Sequence, residues 1–209
     1  MIPLHDIFDE DGMLTRTERL VLRRPVDDDM CEYIDTIVED KPFLEDYKDP
    51  GERGETLRNG YWDSVISGES LFATICLEGN GAFIGYCSVE EPEVEPFELG
   101  INLRKKFQKQ GFGPEAIVGF MSAIQAATGP KPFVAKIDVK NRNSQVMFRR
   151  LGFEPAGIDP FLIKDPKLLE DFESKYLDFI DDGMRELAAE FGVEPRKLLS
   201  HVLVFRKDV

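Results

Sequence analysis

Residues 108–116 read Gln-Lys-Gln-Gly-Phe-Gly-Pro-Glu-Ala. They sit between an apolar stretch with strand alternation and an amphipathic stretch with helical spacing. A glycine-rich turn that opens a helix gathers unpaired backbone N–H groups at the positive end of the helix dipole, and such a point holds phosphate anions. Gly111 and Gly113 carry no Cβ, so the backbone can come close to a ligand. The chemistry expected here is a nucleotide-type cofactor held by its pyrophosphate. Pro114 is read at the first helical position, where its missing N–H breaks no intrahelical bond. It leaves the phosphate turn one donor short. A Rossmann dinucleotide turn is the rival reading, but it calls for an N-terminal βαβ unit, and this turn follows a strand hairpin.

Other chemistry is thin. His5 and His201 are lone histidines without companions at metal-ligand spacing, so no metal site is expected. Cys31, Cys76 and Cys87 are scattered, with no Cys-x-x-Cys pair, which argues against a disulfide framework and a zinc site. The 209 residues hold 26 Lys plus Arg against 40 Asp plus Glu, a net charge of −14. That balance argues against a nucleic-acid partner and favours cationic partners or simple solubility. No basic-then-apolar leader opens the chain and no apolar run reaches the roughly 18 residues of a bilayer span, so a cytoplasmic protein with no membrane contact is expected.

The elements that must position the turn follow from periodicity and punctuation. Residues 1–16 read as an arm with little pattern. Arg19 to Arg24 reads as a strand stopped by Pro25. A helix follows through Met30, Tyr33, Ile34 and Ile37, then a loop at 41–54, then a second helix at 55–67 with Trp62. Leu71 to Leu77 and Phe83 to Glu90 form a hairpin across Gly79-Asn80-Gly81. In the strand Phe97 to Leu103, Phe97, Leu99, Ile101 and Leu103 share one face, and Glu98, Gly100 and Asn102 the other. The helix after the turn runs to about Thr128. A strand at 133–139, a helix at 143–151 closed by Gly152, and a strand from Phe153 follow. A long helical stretch at 166–191, capped by Asp165 and breakable at Gly183, precedes a last strand at 202–205. This is a mixed α/β single domain, with 159–199 as a helical insertion.

Four of these motifs, in this order, resemble the GNAT acyltransferase superfamily, in particular its ribosomal-protein N-terminal acetyltransferase branch. They are Thr17-Glu18-Arg19-Leu20-Val21-Leu22-Arg23, then Gln108 with Gly111 and Gly113, then Glu115-Ala116, and last Asn141 with Ser144 ahead of Leu151-Gly152-Phe153. The resemblance covers roughly residues 15–158 and the final strand. It leaves 159–199 outside, as packing on its own sheet, a lid over the acceptor site, or a contact between two copies in a homodimer.

The resemblance implies acetyl transfer from acetyl-CoA to a primary amine, either a protein N-terminus or a small amine. Gln108, Lys109, Gln110, Gly111, Phe112 and Gly113 would hold the pyrophosphate. Ile101 to Leu103 would pair with the pantetheine arm. Asn141 would bridge cofactor and backbone, and Phe148 would lie on the cofactor where many relatives place a tyrosine acid. Because Phe148 has no proton to give, Ser144 would support the leaving thiolate; its plainer reading is a helix cap. Glu98 is the candidate base, with Glu90 and Glu91 as rivals. The alternative is a non-catalytic acyl-CoA-binding or interaction module on the same scaffold, favoured by Phe148 and Pro114.

Overall fold

A computed structural model describes Leu4, residues 7–161 and residues 165–208. His5 lies outside the described residues. The chain divides into two compact units, residues 1–131 and 132–209.

The first unit holds β1 (Met13–Arg16), β2 (Leu20–Arg23), β3 (Leu71–Leu77), β4 (Phe83–Val89) and β5 (Phe97–Leu103), with α1 (Met30–Asp40), α2 (Glu52–Ile66) and α3 (Phe112–Thr128). Its strands pair antiparallel in chain order. The supposed arm at 1–16 therefore contains a strand. Four residues are too short to show an alternation, and β1 is an edge strand paired only with β2.

Register sets the two faces of this sheet. Thr74 pairs with Tyr86, Phe72 with Ser88, Tyr86 with Asn102 and Ser88 with Gly100. Partners lie on one face, so these six residues and Glu98 line it together. The alternate residues Ala73, Ile75, Cys87, Val89 and Leu99 are buried. On the polar face, Tyr33 of α1 stacks on Tyr86 with ring centroids 4.5 Å apart. Trp62 of α2 meets Tyr33 edge-on at 5.5 Å and donates its indole N–H to Asp27 at 3.1 Å. These rings form one core with Ile34, Ile37, Val38 and Val65. Tyr33 Oη and Thr74 Oγ1 are 3.0 Å apart; Thr74 Oγ1 donates to Asp29, which a bidentate Arg23 neutralises at 2.7 Å. That chain answers the cost of burying a carboxylate and a threonine.

The second unit holds β6 (Phe133–Ile137), α4 (Arg142–Arg150), β7 (Glu154–Pro160), α5 (Pro166–Lys175), α6 (Asp182–Phe191) and β8 (His201–Lys207). β8 lies between β6 and β7, antiparallel to both. Gly152 follows α4 at φ +84, the left-handed cap its position suggested. The long helical stretch is two helices. The break falls before Asp181, whose carboxylate accepts the Met184 N–H at 2.7 Å, and Gly183 sits inside α6. Asp165 caps α5 through the N–H groups of Lys167 and Leu168 at 2.9 and 3.0 Å. In α6, Met184, Leu187 and Phe191 are buried, with Phe191 edge-on to Phe205 of β8 at 5.2 Å. In and just after α5, Leu169 is buried while Leu168, Phe172 and Phe179 are exposed. Glu173 is fully buried, 2.8 Å from Ser200 Oγ and 3.0 Å from Lys197 Nζ, and these contacts tie α5 to the segment before β8. His201 Nδ1 lies 2.8 Å from Ser200 Oγ.

Candidate functional site

The glycine-rich turn is built from both of its ends. Beyond β5, Arg104 is fixed by α1: its guanidinium meets Glu32, lies 2.8 Å from Glu39 and 3.6 Å from Asp35. The Lys105 N–H donates to Glu39 at 2.9 Å. Burial pushes the Glu39 carboxyl up, but the Lys105 N–H and the Arg104 guanidinium outweigh it and hold it below the usual range. Two glutamines brace the turn. Gln108 donates its side-chain amide to Leu103 O at 2.9 Å, and Gln110 donates to Lys106 O at 2.7 Å. Their side chains serve the loop, which leaves ligand binding to the backbone.

That backbone takes an unusual course. Lys109 sits at φ +60 and Gly111 at φ +83. A lysine in the left-handed region costs about 1 kcal/mol. Two left-handed residues two positions apart tighten the turn that leads into the helix, and turns of this kind can gather backbone N–H groups around an anion. α3 starts at Phe112 with Gly111 as its N-cap and no side chain capping it. Pro114 is thus the third helical residue, not the first; the two preceding residues are helical because Gly111 supplies the reversal earlier than the proline suggested. Its missing N–H still belongs to the unbonded first turn. The donor set, N–H groups of a tight turn at an uncapped helix start, fits a pyrophosphate.

Ile101 and Leu103 are half-buried on the face of β5 opposite the polar one, pairing with Cys87 and Gly85. On the polar face, Tyr61 of α2 donates to Tyr86 Oη at 3.3 Å, and Asn102 Nδ2 donates to the same oxygen at 3.5 Å. Burial pushes both phenols up, so they remain neutral at physiological pH and act as hydrogen-bonding groups, not bases. A Cβ at Gly100 would fall 2.3 Å from Ser88 Oγ, which would have to turn away to admit it. Glu98 is half-buried at the start of β5, where its carbonyl accepts the Glu90 N–H at 3.1 Å; Glu90 and Glu91 are exposed. Phe43, in the segment between α1 and α2, is 81% exposed. The Tyr61–Tyr86–Asn102 group escaped the sequence reading, since its members are far apart in the chain and meet only through strand register and the packing of α2 on the sheet.

In the second unit, Asn141 is the N-cap of α4, accepting the Ser144 N–H at 3.1 Å. Ser144 is the third helical residue, so its hydroxyl is not used as the cap. Phe148 is buried, edge-on to Phe153 at 5.0 Å. Gln145, buried and not singled out before, donates to Val139 O at 2.8 Å and Asp138 O at 3.2 Å, which fixes the loop that presents Asn141.

Among the described residues no helix is long and apolar enough to cross a membrane. No curated protein matches the sequence significantly. The ribosomal alpha-N-protein acetyltransferase RimL in complex with coenzyme A is similar in structure over 94% of this chain and 98% of that one, at 15% identity and a TM-score of 0.61. A GNAT-family acetyltransferase from Bacillus anthracis is similar over 92% of this chain and 96% of that one, at 12% identity and 0.60. An acetyltransferase from Agrobacterium tumefaciens is similar over 93% and 94%, at 20% identity and 0.55. At these identities the likeness is one of fold. In sequence, residues 19–154 match the family described as the acetyltransferase (GNAT) domain. That span runs from the start of β2 through the glycine-rich turn and α4 to the start of β7, and the chain belongs to the GNAT acetyltransferase family, whose co-substrate is acetyl-CoA.

Proposed function

We propose that this chain transfers an acetyl group from acetyl-CoA to a primary amine, a protein N-terminus or a small amine. The observation that carries the reading is the turn at 108–113, with Lys109 and Gly111 left-handed ahead of an uncapped α3. Acetyl-CoA supplies the activated acyl carbon and a thiolate leaving group. The turn N–H groups of Lys109 to Gly113 anchor its phosphates, and the edge of β5 at Ile101 to Leu103 lies along its arm. Glu98 takes the proton that an ammonium must lose before it can attack, directly or through one water. Ser144, its hydroxyl free of capping duty, donates toward the departing sulfur, and Asn141 holds the helix start that presents it. Phe148 gives no proton, so positioning within a ternary complex supplies much of the rate.

Tyr86 and Asn102 lie on the same strand face as Glu98, Tyr61 of α2 bonds to Tyr86, and the excess of carboxylates over basic groups suits a cationic acceptor. Calorimetry with acetyl-CoA tests the cofactor half: the wild type binds and Gly111→Glu does not. A panel of peptide N-termini, polyamines and aryl amines then tests the acceptor half. Binding without turnover across the panel would leave the non-catalytic reading, for which Phe148 is the supporting observation.

A further inference from the structure

Two motifs with no assigned role meet in the structure. Thr17 and Arg19 end the β1–β2 connection, and Glu115 lies in the first turn of α3, almost a hundred residues later. Thr17 Oγ1 donates to Glu115 Oε1 at 2.5 Å, and the Arg19 N–H donates to the same oxygen at 2.9 Å. Arg19 Nε donates to Oε2 at 2.7 Å, and Nη2 lies 2.6 Å from it. Burial raises the carboxyl, but these donors outweigh it and hold it below the usual range.

The other side of the guanidinium faces the phosphate turn. Nη1 donates to Gln110 O at 3.1 Å. Cζ stands 4.4 Å from the centre of the Phe112 ring. Nη2 lies 3.2 Å from where a Cβ on Gly111 would be. One side chain therefore touches the turn before, at and after its left-handed glycine, and it is itself held by a carboxylate on the helix that the turn opens.

A carboxylate in a first helical turn is ordinarily drawn to the free N–H groups there. Glu115 is turned away from them and filled by four donors, so the N–H groups stay open and its charge is cancelled beside an anion site. We propose that Arg19 and Glu115, seated by Thr17, are positioning residues for acetyl-CoA: the pair fixes residues 110–112 in the shape that receives the pyrophosphate and touches no reacting atom. This rests on the cofactor reading above.

The sign of one substitution separates positioning from simple charge. Glu115→Gln removes a negative charge near the phosphates, which on electrostatics alone tightens acetyl-CoA binding. Positioning requires the reverse. Calorimetry should show acetyl-CoA binding weakened roughly tenfold in Glu115→Gln and in Arg19→Lys, which keeps the charge and loses the planar fork. Steady-state kcat should stay within about twofold of wild type at saturating acetyl-CoA, because only cofactor seating changes. The double variant should be no weaker than the worse single one, since both break one unit. Hydrogen exchange without ligand should quicken at the 109–113 amides in each variant. Thr17→Val is the gentler variant, with the same direction and a smaller effect. Tighter or unchanged binding in Glu115→Gln, or unchanged exchange at 109–113, would overturn the proposal. A wild type that fails to bind acetyl-CoA would instead remove the cofactor reading, and this proposal with it.

Discussion

α3 and α4 both begin just after a strand, and they begin in opposite ways. α3 opens on a left-handed glycine with no capping side chain, while Asn141 caps α4 through the Ser144 N–H. A capped N-terminus has its first donors answered from within, whereas an open one keeps them for something else. Under the proposed reading the difference divides the labour between the two motifs: the first would present backbone to an anion, the second a side chain, that of Ser144.

Substitutions can break this contrast one side at a time. The largest expected effect is at the open start. Gly111→Val places a branched side chain at φ +83, with its Cβ 3.2 Å from Arg19. Acetyl-CoA affinity should fall on the order of a hundredfold, as misplacement at a preorganised site does, and calorimetry would read it. Affinity within a few-fold of wild type would show that the cofactor is not held there. Next, Ser144→Ala should lower kcat roughly tenfold with the melting temperature unchanged, because one hydrogen bond to developing charge is lost and no cap is removed. A fall in melting temperature with kcat intact would reverse that assignment. Asn141→Ala should cost about 1 kcal/mol of stability, the usual worth of a cap, in a urea titration. An unchanged midpoint would mean that the cap does not matter.

The smallest effect sharpens the open side through pH. Glu115 has its folded pKa depressed, so the unfolded chain binds its proton first. Its contribution is complete above the ordinary carboxylate range and is lost as pH falls through the folded value. The stability gap between wild type and Glu115→Gln should therefore shrink between about pH 5 and about pH 3, followed by urea midpoints. A gap that stays constant over that range would mean that the carboxylate is not held by its four donors in solution.

Much of this was legible in the residues, for identifiable reasons. β5 begins and ends where alternation after Pro96 puts it, because a half-buried strand must alternate, and β3 where an apolar run ahead of the Gly79 turn puts it. The turn at 108–113 was legible as a turn because few residue types permit a backbone such as that at Gly111. β1 was not, being four residues that earn their place by pairing with β2. The break between α5 and α6 was read at a glycine, but the capping chemistry of Asp181 decides it. Tyr61 with Tyr86, and Arg19 with Glu115, are contacts between distant segments. The Thr17–Arg23 and Glu115-Ala116 motifs marked the second pair as residues of interest without saying that they touch.

The packing of Trp62 gives this protein an optical signature. It is the one tryptophan in the chain, 6% exposed, and it lies in the first unit against Tyr33. Its emission therefore reports on α1, α2 and the strands beneath them. Far-ultraviolet dichroism sums over both units. When the two signals are followed through one denaturant titration, a shared midpoint means that the halves melt together, and an earlier loss of tryptophan signal means that the half bearing the phosphate turn yields first.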